Sequence, residues 1–460
     1  MSVKLNGAQL PLAPGSWPVI GHAGRLFSDP LSWLRTCHSS DGIMRMKVGP
    51  LTSYLVTDVD LVQEIMVDKD GIFDKGGPVF DAVRKVVPAG LATCPIGVHR
   101  RQRSQMQPAF SPRAISDTEE VMAEEAERVV RNWGAGQVLD IRAEANRGTS
   151  QILWRCLMPS GSSVVAPESL RLAIDKLMRG MIVRGLMPDL LQRLPLPVNQ
   201  SFAEGLETID GATRKIIGAA RETASSSAGL LAILLEAYTQ GVGDQELRDQ
   251  VITLLVGGTE TSASTLAWIL HTLATRPDLE ERLHAEIDHL PSGPVFVAND
   301  QSRLPFTLNL ISEALRCYPP NWLISRTSIR PAVLGGHQFP AGADFVFSPY
   351  QLHHDSAFFE DPEDFDPDRW QGRLPTASRR GYIPFGTGGR RCIADRFAVY
   401  EIVHLLIAIA RRWRLRPVPG SSIRPHRLRA ILNPTGLHLR AESRLGHPEA
   451  PIGPRADVFL

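Results

Sequence analysis

Apolar residues recur along this chain with two different periods, and the change from one to the other divides it. Between residues 43 and 57, Met44, Met46 and Val48, then Tyr54 and Val56, alternate with polar neighbours around Gly49-Pro50. That period of two predicts a hairpin with one buried face. A short helix over Leu61–Val67 is expected next. From about Ser111 to His289 the spacing lengthens to three or four residues, as in TEEVMAEEAERVVRNW, ESLRLAIDKLMRGM, DGATRKIIGAARE and LEERLHAEIDHL, which predicts a block of helices. Pro195 and Pro197 in LPLPVNQSF, and SSSAG at 225–229, mark connections too short to be domain linkers. Beyond residue 318 the runs shorten (WLISRTS, FVFSPY) and read as strands and loops until a last helix from about Arg396 to Arg412. With no internal repeat and no abrupt shift of composition, the chain is expected to be mainly α with small β-sheets. A single domain over 1–460 is expected, with 1–13 and 441–460 as flexible tails.

One segment, Val251–Ala274, has the length of a membrane span, yet it carries Glu260, His271 and seven Ser/Thr hydroxyls. An isolated carboxylate in hydrocarbon is costly, so a long buried helix is the expected state. The amino terminus has no apolar run fit for a signal peptide or anchor. At 43% hydrophobic and 22% charged, the 460 residues suffice for a large core. Fifty Lys and Arg against 49 Asp and Glu leave +1, so a charged partner must meet a local patch. Five scattered cysteines without CxxC fit a reduced interior, and a cytoplasmic location is expected.

Candidate chemistry is densest in FGTGGRRCIADR, Phe385–Arg396, a glycine-rich loop running into an amphipathic helix. Cys392 is thus expected near a helix N-terminus, where N–H groups and the dipole favour a thiolate and lower its pKa. The glycines let main chain approach a flat, bulky body, of which haem is the simplest; the plain alternative is a turn with an ordinary cysteine. In ISEALRCYPP, Glu313 and Arg316 share a helix face, and Arg369 in DPEDFDPDRW is placed to reach Glu313 from across the fold as a brace. Gly257, Gly258, Glu260 and Thr261 combine costly mid-helix glycines with an acid and an alcohol. Such hydroxyls bond helix carbonyls and open a groove, and Glu260 with Thr261 would form a proton relay; tight helix packing is the plain alternative. His99 and Arg103 in HRRQR lie four apart, suited to hold carboxylates of one cofactor, whereas nucleic-acid binding lacks aromatic partners. His353-His354-Asp355 lacks a further ligand at zinc spacing and reads as a turn.

In this order the motifs resemble the cytochrome P-450 family of haem-thiolate monooxygenases, from about Pro14 to Arg440. Phe385, Gly388, Arg390 and Cys392 match its haem-binding signature, with Ala394 where the family usually has glycine. Gly257, Gly258, Glu260 and Thr261 match its oxygen-activating helix, and Glu313, Arg316 and Arg369 its structural triad. The resemblance implies a single-domain P-450 fold, haem b bound through Cys392, and insertion of one oxygen atom from O2 into a small hydrophobic substrate. It implies propionate contacts from His99, Arg103, Arg326 and Arg390, the role of Arg326 resting on the resemblance alone. No reductase or flavin fingerprint is present, so NAD(P)H would act only indirectly, through ferredoxin reductase and ferredoxin, with Arg100, Arg101 and Arg391 as a docking patch. No nucleic acid, no membrane anchor and a monomeric state are expected.

Within the family, FDKGGPVFDAVRKVVPAGLATCP, QPAF, FSPYQLHH and LRPVPG are similar to segments of bacterial sesquiterpene oxidases. The expected chamber wall takes Phe73, Val79 and Phe80 from the early chain and Met181, Ile182 and Met187 from the helical block. Leu255 and Val256 come from the long helix, and Trp322, Leu323 and Pro434 from later loops. Such a wall suits a sesquiterpene or diterpene; a fatty acid or polyketide suits it too, and a haem-thiolate binding protein that never activates oxygen is the alternative from another class.

Overall fold

A computed structural model describes residues 5–158, 167–187, 189–222, 229–238, 243–291, 295–373, 379–420, 423–425 and 430–444. Helices dominate the middle of the chain. The principal ones are α1 (Val59–Val67), α2 (Pro78–Arg84), α3 (Ile96–Met106), α4 (Glu119–Arg131), α5 (Ile141–Leu157) and α6 (Pro167–Leu186). They are followed by α7 (Pro197–Glu222), α8 (Asp244–Thr275), α9 (Pro277–Asp288), α10 (Pro305–Cys317) and α11 (Asp395–Arg412). Pro197 does not break a helix; it opens α7, where its fixed φ and missing N–H cost nothing. The hairpin forms as expected, and the helix after it starts at Val59 because Asp58 accepts from the N–H groups of Asp60 and Leu61.

The strands are β1 (Leu5–Asn6), β2 (Ile43–Val48), β3 (Leu51–Val56), β4 (Phe73–Asp74), β5 (Val138–Asp140), β6 (Ile324–Ser328), β7 (Ala332–Leu334), β8 (His337–Phe339), β9 (Asp344–Phe347), β10 (Trp413–Pro417), β11 (Arg424–Pro425), β12 (Pro434–Thr435) and β13 (His438–Ser443). The largest sheet has the order β2-β3-β9-β6-β4, with Arg326 opposite Phe345 and Phe73 opposite Ser328. Smaller sheets have the orders β1-β8-β7 and β10-β13-β5, beside the pair β11-β12.

Two boundaries expected from sequence are corrected. Residues 5–13 are not a tail, since β1 pairs with β8 and both Leu10 and Ala13 are buried. At the other end β13 runs on through Ala441, which is buried, to Ser443. Most of SSSAG lies outside the described residues.

The helical core surrounds α8, whose 32 residues pack against α5, α7, α10 and α11. Almost every residue from Thr259 to Leu270 is buried, which is why the segment reads as apolar enough for a membrane. No helix among the described residues is long and apolar enough to cross one.

Candidate functional site

The loop from Phe385 to Ile393 enters α11 through the N-cap Ala394, placing Cys392 two residues ahead of that cap. The Cys392 N–H donates to Phe385 O at 2.9 Å, closing the loop on itself. Gly388, at φ +70°, sits against the carboxyl end of α1, where a Cβ would lie 2.9 Å from Val67 Cα and closer still to Met66 O. The glycine is therefore demanded by protein main chain rather than by a cofactor face, a correction to the expectation. The thiol is corrected as well. The protein packed around it raises its pKa above the ordinary value, and the Ala394 N–H and the Arg103 and Arg391 guanidinium groups only partly oppose that, although the Cys392 side chain itself is exposed. A helix N-terminus alone does not make this cysteine a thiolate; a bound cation would.

Along α8, Thr261 Oγ1 donates to Gly257 O at 2.8 Å and Thr259 Oγ1 to Leu255 O at 3.0 Å, the hydroxyl-to-carbonyl pattern expected, although the helix runs unbroken past them. The two glycines differ. A Cβ on Gly258 would lie 2.8 Å from Leu153 Cδ2, so this glycine serves close packing on α5 and not a cofactor. Gly257 has nothing within 4 Å of that position. Glu260 is buried and accepts from Asn433 Nδ2 at 3.4 Å.

A charged cluster lies beside the cysteine loop. Arg390 Nη2 forms an ion pair with Asp74 Oδ1 at 2.7 Å, and both Nη atoms are buried without a hydrogen bond. Arg326, on β6, is buried, and that burial with Arg390 beside it lowers its pKa to about 10. His99, on α3, is pushed down to about 4 by burial and by neighbouring Lys75, Arg390 and Arg103. Arg103 donates to Arg391 O and to Gln107 Oε1. Asp74 and Lys75 belong to the cluster and were missed in the sequence, where only their place before Gly76-Gly77 marked them.

Beneath this region Glu313 is fully buried. It accepts from Arg316 Nη2 (2.7 Å) and Nε (2.9 Å), from Arg369 Nε (3.2 Å), from the Asp366 N–H (2.9 Å) and from Trp370 Nε1 (2.7 Å). The predicted sharing by two arginines is present, and Trp370 joins it. Arg316 also donates to the carbonyls of His353, Pro362 and Asp364. His353 locks the same region, with Nδ1 donating to Arg316 O and Nε2 accepting from the Ile383 N–H.

The residues expected to form the chamber wall differ in burial. Phe80, Met187, Val256, Trp322 and Leu323 are half-buried, whereas Met181, Leu255 and Pro434 are buried. Phe73 is corrected: it packs edge-on to Phe345, with ring centroids 5.3 Å apart, inside the sheet's own core. The side chains of Val79 and Ile182 lie outside the described residues. Of the three arginines expected to meet a partner, Arg101 pairs with Glu246 and Arg391 with Asp395. Arg100 remains exposed.

Whether these residues suit a porphyrin is tested by two features. An added Cβ at Gly257 or at Gly389 would touch nothing, leaving room beside α8 and beside the cysteine loop for a flat body. Arg390 keeps one buried nitrogen, Nη1, with neither hydrogen bond nor ion pair, beside the Nη2 that faces Asp74, which leaves room for a further anionic group. Both fit.

Residues 11–439 match the family model described as Cytochrome P450, and the chain belongs to that family. It is a haem-thiolate monooxygenase, an oxidoreductase that uses O2 on a hydrophobic substrate. Among its relatives are a cyclooctatin synthase of Streptomyces melanosporofaciens, 36% identical over 90% of this chain and 92% of the relative. A pentalenene oxygenase of Streptomyces avermitilis is 33% identical over 94% and 97%. A cyclooctat-9-en-7-ol 5-monooxygenase, also of Streptomyces melanosporofaciens, is 34% identical over 89% and 90%.

Proposed function

We propose that the protein oxygenates a terpenoid, a sesquiterpene or diterpene, with electrons delivered by a ferredoxin and its reductase. The observation that carries the substrate class is the alignment with a pentalenene oxygenase over nearly the full length of both chains. Half-buried apolar side chains at Phe80, Val256, Trp322 and Leu323 support it, since a hydrocarbon binds by area burial at about 25 cal/mol per Å².

In this reading Cys392 Sγ ligates the haem iron, and His99, Arg326 and Arg390 hold the propionates, with Arg103 bracing the loop that carries Cys392. When bound, the thiolate-ligated haem supplies dioxygen activation and O–O cleavage. The protein supplies the protons and excludes solvent. Thr261 Oγ1 holds one proton against Gly257 O, and the buried Glu260 carboxyl replenishes it. Arg100, exposed on α3, contributes to the face that receives the ferredoxin.

A spectral titration of the ferric protein with sesquiterpenes, diterpenes and fatty acids tests the substrate class. Displacement of the iron's water by the terpenes is expected, and a response to fatty acids alone overturns the assignment. Thr261→Ala should keep the thiolate spectrum while diverting reducing equivalents to peroxide; fully coupled turnover in that variant removes the relay.

A further inference from the structure

Glu260, Ser264 and Trp268 follow one another at four-residue spacing and so form a single stripe along α8. All three are buried, and all three bind the same short segment of chain. Ser264 Oγ donates to Leu432 O at 2.6 Å, and Trp268 Nε1 donates to the same oxygen at 2.8 Å. The Leu432 N–H is used as well, donating to Pro320 O at 3.0 Å, and Trp268 is stacked on Tyr318 with ring centroids 4.1 Å apart. The backbone at Leu432 is thus fixed at both its N–H and its carbonyl. The next residue, Asn433, donates from Nδ2 to Glu260 Oε2 at 3.4 Å. Asn433 is 1% exposed, and its Oδ1 has no partner. A buried amide with an acceptor left unpaired weakens a fold, whereas a leucine of similar shape would not. Stability therefore does not account for this asparagine.

We infer that Asn433 is a positioning residue for the proton relay: it fixes the Glu260 carboxyl through Oε2 and directs the mobile proton to Oε1. The inference rests on the relay proposed above. An N–H donor at one carboxyl oxygen disfavours a proton on that atom, so the proton is carried on the other. The amide is also neutral. A cation in its place would favour the ionised carboxylate and hold back the proton, whereas asparagine fixes the group without adding charge. Arg171 of α6, whose charge feels that of Glu260, is itself engaged by Glu168 through Nε at 3.0 Å. Because the segment that carries Asn433 is tied to α8 by Ser264 and Trp268, the donor and the acid it holds move together.

The experiment compares haem-loaded wild type with Asn433→Leu, Asn433→Gln, Glu260→Gln and the Glu260→Gln, Asn433→Leu double variant. Infrared difference spectra against Glu260→Gln isolate the Glu260 carboxyl band. Asn433→Leu should shift that band without lowering the melting midpoint. Turnover is then measured with whichever compound of the titration panel gives the strongest spectral response. Asn433→Leu should lower kcat about tenfold with KM unchanged, a part of the roughly 100-fold or more that a positioned proton donor supplies. Asn433→Gln, which keeps the donor, should recover part of that loss. In the Glu260→Gln background, Asn433→Leu should cost nothing further, since the two side chains act as a unit. An unshifted band, or a loss from Asn433→Leu that persists undiminished beside Glu260→Gln, overturns the inference. Asn433→Ala carries the same comparisons if the leucine variant does not retain haem. Wild-type turnover in Glu260→Gln removes the relay and the inference with it, whereas impaired Glu260→Gln beside an unimpaired Asn433→Leu removes the positioning role alone.

Discussion

Replacing Glu313 by glutamine tests the internal brace most directly. The carboxylate accepts from both guanidinium groups, from the Asp366 N–H and from Trp370 Nε1 within a fully buried site. Glutamine keeps the shape but substitutes an NH2 for one oxygen, so a donor faces donors and two buried cations lose their counter-charge. Breaking a buried pair by removing one partner costs about 3–5 kcal/mol. An unfolding entropy of about 2.1 cal/mol/K per residue gives the 460-residue chain about 1 kcal/mol per kelvin, hence a drop in melting midpoint of about 3–5 °C. Haem-loaded protein would be melted at one scan rate, with far-ultraviolet circular dichroism for the fold and Soret absorbance for the haem. Both should fall together, because Arg316 and His353 join this cluster to the segment that leads into the cysteine loop. A midpoint within about 1 °C of wild type would refute the claim that the carboxylate braces the fold. Substituting Arg316 as well should not restore stability, since the carbonyls of His353, Pro362 and Asp364 would then lose their donor.

Gly388→Ala should lower haem content and stability by more than about 1–2 kcal/mol, the left-handed backbone penalty alone, because its Cβ also meets Val67. Gly389→Ala, with nothing within 4 Å and no positive φ, should spare the fold, and comparable damage from both by haem content per chain would defeat the distinction. Stability should decline as the pH falls from 6.5 towards 4. His353 is held down to about 3 and His284 to about 4, chiefly by burial, so the unfolded chain takes up protons that the folded one refuses. Each such histidine contributes at most about 1.4 kcal/mol per pH unit in that window. His353→Asn should reduce the slope of midpoint against pH, and an unaltered slope would assign the loss to other groups.

The hairpin, the long helix, the last helix and the Glu313 pairing were legible because each writes a local period or a short spacing into the chain. Alternation gave β2 and β3, and three residues separate Glu313 from Arg316. Tertiary contacts left no such mark. Gly258 and Gly388 look like cofactor glycines until Leu153 and Val67 are seen against them, and Phe73 reads as chamber wall although Phe345 encloses it. Asp74 and Lys75 belong to the charged cluster only because β4 pairs with β6, which carries Arg326. The direction of the Cys392 shift was misjudged for a related reason: the dipole is a property of α11, whereas the raised value comes from the other segments packed near a side chain that is itself exposed.

The grip of α5 on α8 has a consequence for how guests of different bulk are admitted. Thr149 Oγ1 donates to Thr259 O at 3.1 Å, one residue beyond the point where Gly258 rests on Leu153. The long helix is thereby pinned at its waist and cannot bow outward to enlarge the space it overlooks. Room for a bulkier guest would then have to come from the layer of α6, which packs on α2, α5 and α7.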